Sequence, residues 1–128
     1  MYISAVAEDV RDKILTEISS LKKINRHIIN VVVSDISGMP IASDVGFEKE
    51  TLLSASIAAI LAISEKVSAS MDTGNFNYIV MDYDNLRLFL FNVKNKYRVL
   101  IIAKKEAPMG LVLRDVKQFN KRIADYLP

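Results

Sequence analysis

The stretch from Thr51 to Met71, TLLSASIAAILAISEKVSASM, constrains this chain more than any other. From Thr51 to Ser64 it holds no charge, no Gly and no Pro, and most residues are small or aliphatic. Leu53, Ile57, Ile60, Leu61, Ser64, Val67 and Met71 fall on one stripe with the 3.6-residue period of a helix packed on a core. Leu52, Ser56, Ala59 and Ile63 form a second side, and the remaining arc holds Ser54, Ala55, Ala58, Ala62 and Ala69 with Glu65 as its only charge. An ordinary surface helix carries Lys and Glu on that arc. A helix that is apolar or small nearly all round is buried on more than one side, so the expected second cover, in a chain this short, is another subunit.

A length of 128 residues gives a prior of one domain over 1–128, large enough to bury a core without covalent staples. A hydrophobic share of 51% with 25% charged residues excludes a disordered chain. The absence of cysteine removes disulfides and thiolate chemistry and fits a reducing compartment. The opening MYISAVAEDVRDK has acids at 8, 9 and 12 and no basic region before an apolar run, so it does not read as a secretory signal. The longest uncharged run, about 14 residues, is too short for a bilayer, so no membrane insertion is expected and a cytoplasmic location is. Charge is uneven along the chain. Residues 1–93 hold 8 basic and 12 acidic side chains, whereas 94–128 hold 9 basic and 3 acidic. A basic end can meet nucleic acid, anionic lipid or an acidic protein face, or it can be a solvated helix face beside a lysine-bearing turn.

In chain order, Ile3, Ala7, Val10, Ile14, Ile18 and Leu21 predict an amphipathic helix over 3–23, with Asn25 to His27 as its exit. Ile28 to Ser34 reads as a strand apolar on both faces. Gly38 turns the chain, and Pro40 to Ser43 returns as a short strand. After the long helix, Asp72 to Asn75 form a stop centred on Gly74. Phe76–Asp82, Leu86–Val93 and Tyr97–Ala103 follow as an antiparallel meander with hairpin-length loops. Val112, Val116, Phe119, Ile123 and Leu127 stripe a last helix. The expected architecture is α+β: a five-stranded antiparallel sheet in the order α-β-β-α-β-β-β-α. The central helix covers one face and the two terminal helices the other.

This order resembles the roadblock / dynein light chain family, which has a profilin-like fold. So does the local pattern of an apolar strand, Asp35-x-x-Gly38-x-x-Ile41-Ala42-Ser43 and a long helix rich in small residues, together with Gly110-Leu111-Val112 opening the last helix. The resemblance implies a dimer, with itself or a related roadblock protein, that pairs central helices and third strands so that two sheets join. It also implies a regulator or scaffold of Ras-like small GTPases or motor complexes; some bacterial members act as GTPase-activating proteins. On this basis the expected dimer contacts are Leu52, Ala55, Ser56, Ala59, Ala62, Ile63, Phe76, Tyr78 and Val80. The expected GTPase contacts are Glu65, Lys66 and Ala69.

No constellation for chemistry emerges, so no catalytic, cofactor or metal residue is expected. Asp72-Thr73-Gly74 copies the aspartic-protease tripeptide but follows a helix, where Asp and Gly are turn residues. His27 is the only histidine, and Asp82-x-Asp84-Asn85 lacks the Gly and Glu of a Ca²⁺ loop. The four glycines stand apart from one another, so no phosphate loop exists, and no serine sits in a G-x-S-x-G turn. Tyr78, Tyr83 and Tyr97 near Lys94, Lys96 and Arg98 offer an aromatic-basic platform for single-stranded nucleic acid. Cross-strand packing accounts for the same tyrosines, and no nucleic-acid partner is expected. Two other classes stay open: a small-molecule sensor module, which needs a cavity, and a basic-face binder of membranes or nucleic acid.

Overall fold

A computed structural model describes residues 8–128. The first helix, α1, runs Glu8–Ile24, so Ile3 and Ala7 of its expected stripe lie outside the described residues. Ile14, Ile18 and Leu21 form its buried edge. Acids in its first turn and Lys22 and Lys23 in its last both favour the helix dipole. Asn25, buried at the exit, donates from Nδ2 to Asp115 Oδ2 at 3.0 Å and accepts from the His27 amide at 3.1 Å. His27 belongs to this exit turn.

Strands β1 (Ile28–Asp35) and β2 (Pro40–Ser43) form a hairpin. Its loop explains the Asp35-x-x-Gly38 spacing. The Asp35 carboxylate accepts from the amides of Ser37 and Met39 and from Ser37 Oγ, and Gly38 at φ +92° closes the turn against the next helix. That helix, α2 (Phe47–Met71), begins four residues earlier than the apolar stretch suggests and ends on Asp72 in the left-handed region. Strands β3 (Tyr78–Asp82), β4 (Leu86–Val93) and β5 (Tyr97–Lys104) form the meander. Lys94 and Asn95, with φ of 59° and 58°, sit between Val93 and Lys96, whose amide donates to the Val93 carbonyl. Two successive left-handed residues give the start of this three-residue connection, Lys94 to Lys96, the backbone of a type I′ turn, whose twist matches that of the strands.

The sheet order is β2-β1-β5-β4-β3, antiparallel throughout, with β2 and β3 at the edges. Because the strands are apolar on both sides, each face takes its own cover. One face buries Val31, Val33, Phe89, Phe91, Val99 and Ile101 beneath α1 and α3 (Met109–Tyr126). The contacts of α1 with α3 run antiparallel: Asn25 meets Asp115, and Glu17 accepts from the Tyr126 hydroxyl. Phe119, Val112, Val116 and Ile123 are at most 1% exposed. Each such side chain contributes roughly 1.5–3 kcal/mol of transfer free energy. The opposite face carries Val32, Leu90 and Leu100 under Ile57 and Leu61 of α2. The α+β arrangement expected from the sequence is the one observed.

Candidate functional site

The two layers are not equally complete. Helix α2 lies over β1 and β2. On the same face, Ile79 and Met81 of β3, Leu88 of β4 and Ile102 of β5 are only half buried. A shallow apolar floor therefore extends from the flank of α2 to the β3 edge.

The helix itself departs from the expected stripe. Ile57 and Leu61 are buried as the periodicity requires, but Val67 and Met71 are 55% and 70% exposed, and Leu53 and Ile60 are half buried. Ser54, placed by the sequence on the outer arc, is fully buried against the sheet. The cause is rotational. The true contact line runs through Ser54, Ile57 and Leu61, which turns the Leu53, Ile60 and Val67 flank toward the open floor. Small residues allow the close approach: a Cβ built on Gly38 would lie 3.2 Å from Ala58 Cβ and 3.3 Å from the Ser54 carbonyl oxygen.

Leu52, Ala55, Ala59, Ala62 and Ile63 are all exposed, and Ser56 is half buried with its hydroxyl bonded to the Leu52 carbonyl. They line the side of α2 away from the sheet. Glu65, Lys66 and Ala69 follow in the exposed second half of the helix. On the strand, Tyr78 and Val80 turn to the face of the terminal helices, where Tyr78 packs at 5.7 Å on the Phe91 ring. Ile79 and Met81 turn to the α2 face. Phe76 precedes the strand and packs on the α2 side. The expected contact set thus divides between the two faces of β3. The α2-side members, Ile79 and Met81, were not separable in a strand apolar on both sides.

By length and composition α2 is also long and apolar enough to cross a membrane: an 18-residue window has mean hydropathy 1.5, and only 17% of it is buried. The uncharged run of about 14 residues understates this helix, which is 25 residues long. Its inner line is nevertheless matched to Val32, Leu90 and Leu100 of the sheet.

The aromatic-basic platform does not assemble. Tyr97 and Arg98 are both buried and point to opposite faces, and Tyr83 lies at the far end of the meander. Asp82 accepts from Arg87 and Lys105, and these two cations hold its carboxyl below the usual range. Asp72 caps α2, and Gly74 follows it at φ +80°. Among the described residues no three His, Cys, Asp or Glu side chains gather as a metal site. Two clefts of about 630 Å³ lie at the surface. One is beside Gly38 and Phe47, the other between Tyr78 and Lys117.

Such a sheet, flanked by one long helix on one face and a terminal pair on the other, defines the α+β class that includes profilin. Profilin IA of Acanthamoeba castellanii superposes with a TM-score of 0.58 at 10% identity, covering 90% of this chain and 96% of its own. Within that class the chain belongs to the Roadblock/LC7 domain family, whose profile matches residues 17–103. Myxococcus xanthus MglB superposes with a TM-score of 0.85 at 18% identity, over 96% of this chain and 92% of MglB. A structure described as MglB with tetrameric arrangement gives 0.84 at 12% identity, over 94% and 92%. At these identities the likeness is one of fold. No curated protein matches the chain by sequence.

Proposed function

We propose that the protein is a non-enzymatic, cytoplasmic dimer that regulates or scaffolds a Ras-like small GTPase. The observation that carries this reading is the side of α2, apolar or small from Leu52 to Ile63, that none of the described residues covers, beside a half-covered sheet whose β3 edge is unpaired among them. Soluble proteins avoid a free apolar edge, and a second copy related by a two-fold axis covers helix, floor and edge in one contact. The tetrameric arrangement of the similar MglB supports self-association. Membership in the Roadblock/LC7 family supports the regulator or scaffold role.

The dimer leaves Glu65, Lys66 and Ala69 at the exposed half of α2 as the contact for the GTPase. GTP hydrolysis is mostly positioning and charge stabilisation on the nucleotide-binding partner, so a regulator acts by holding switch loops and needs no acid, base or metal. The test is to titrate the dimer into Ras-like GTPases, each loaded with GDP or a GTP analogue, while following phosphate release. Binding that depends on nucleotide state supports regulation; equal binding supports scaffolding. Absence of binding in both states defeats the assignment.

A further inference from the structure

Arg98 is 8% exposed, and it lies on the α2 face in one cross-strand row with Ser34 of β1 and Asn92 of β4. Its Nη1 donates to Asn92 Oδ1 at 2.8 Å and to the Tyr97 carbonyl at 3.0 Å, and the Phe76 ring lies 5.9 Å from Cζ. Its Nε is buried without a hydrogen-bond partner among the described residues, as is the Oγ of Ser34 across the ladder. Among the described residues no carboxylate lies within ion-pair distance, and residues 1–7 contain no acid. A guanidinium stays ionised even when buried, so this is a desolvated cation with no direct ion pair. Burial is the main influence on the group and pushes its pKa down, while the charge of Glu65 acts in the opposite sense. Buried charges in folded proteins are paired, because leaving one alone costs several kcal/mol.

Arg98 also lines a pocket of about 300 Å³ between the second half of α2 and the loop before β3. Its other polar walls are Ser64, Ser68, Asn75, Asn92 and Asn95, with Glu65 at the lip. Asn92 Nδ2 is already given to the Phe76 carbonyl and Asn95 Oδ1, and Ser68 Oγ to the Gly74 carbonyl. The Ser64 hydroxyl and the amides of Asn75 and Asn95, beside the guanidinium, are the donors suited to an oxyanion.

From this geometry we infer that the pocket is a binding site for a single oxyanion, phosphoryl or carboxylate, whose counter-charge is Arg98. The site can be tested on the isolated chain, without a GTPase. Inorganic phosphate and acetate are titrated separately at constant ionic strength with chloride as make-up. The readouts are the Arg98 Nε–H resonance, the side-chain amides of Asn92 and Asn95, and the thermal midpoint. A saturable shift confined to these groups is expected. Phosphate alone identifies a phosphoryl ligand, acetate alone a carboxylate, and both a general oxyanion site. Arg98→Gln should weaken binding by about tenfold or more through loss of a charge-assisted hydrogen bond. Glu65→Gln, at an exposed position, should tighten it by about threefold by removing a repelling charge. Should Arg98→Gln fail to fold, the wild-type titration and Glu65→Gln still decide the matter. No saturable shift, a shift that chloride reproduces, or unchanged affinity in Glu65→Gln overturns the site.

Discussion

Replacement of Ile63 by Ser tests the proposed dimer separately from the fold. Ile63 is 67% exposed in the protomer, so Ile63→Ser should change protomer stability by less than about 0.5 kcal/mol. Full burial of an isoleucine side chain is worth roughly 1.5–3 kcal/mol, and about two-thirds of that remains available to a partner, or roughly 1–2 kcal/mol. A two-fold axis presents the residue twice, which gives roughly 2–4 kcal/mol per dimer, or about a 30- to 700-fold rise in the dissociation constant. Sedimentation across a micromolar concentration series reads the constant, and thermal unfolding at low concentration reads the protomer. An unchanged dissociation constant with the fold intact would refute the assignment of this helix side to the interface. So would a wild type that sediments as a concentration-independent monomer.

Further outcomes are expected from other parts of the molecule. Gly38→Ala forces a side chain into φ +92° with its Cβ 3.2 Å from Ala58 Cβ, and denaturant unfolding should show a loss of roughly 1–3 kcal/mol; a loss under about 0.5 kcal/mol contradicts the turn argument. Phe119→Ala, at 1% exposure between α1 and the sheet, should cost roughly 3–5 kcal/mol in the same assay. The Asp82 carboxyl is depressed in the folded state by Lys105 and Arg87, so its contribution is present above the ordinary carboxylate pKa and lost as pH falls through the depressed value. Asp82→Asn should therefore be the less stable variant at neutral pH and equal to wild type in strong acid, with salt shrinking the difference. Hydrogen exchange should find the β3 amides protected to near the global stability; fast exchange there, beside protected β4 and β5, means that the edge is free.

The element order was legible because each segment announces its period. Ile14, Ile18 and Leu21 keep helical spacing, and Pro40 marks the start of β2 where no ladder bond is required. The Asp35 and Gly38 pair was recognisable as a turn, although only the geometry shows the carboxylate holding two amides. Orientation was less legible. A strand such as Tyr78–Asp82, apolar at four of its five positions, does not say which alternate set meets α2. A helix apolar nearly all round leaves its rotation open by a residue or two, so Ser54 changed sides with Val67 and Met71. Arg98 was legible only as one cation of a surface aromatic-basic platform, and its burial carried no signal, because an arginine beside Lys94 and Lys96 in a basic stretch looks like a solvated charge.

The position of β5 between β1 and β4 has a consequence for assembly in time. Val33 and Val99, paired in that ladder, are 66 residues apart in the chain. A chain emerging from the ribosome can form the β1–β2 hairpin and α2 early, but the second edge of Val31, Val32 and Val33 stays unpaired until Tyr97 to Lys104 have been made. The helix pair that seals the other face waits longer still, since Asn25 meets Asp115 across 90 residues. Contacts this distant in sequence carry a loop-closure cost before they stabilise anything, which slows folding. A fragment ending before Tyr97 would therefore present a β-branched, apolar strand with an open ladder, the form most prone to pair with its own copies before the sheet is complete.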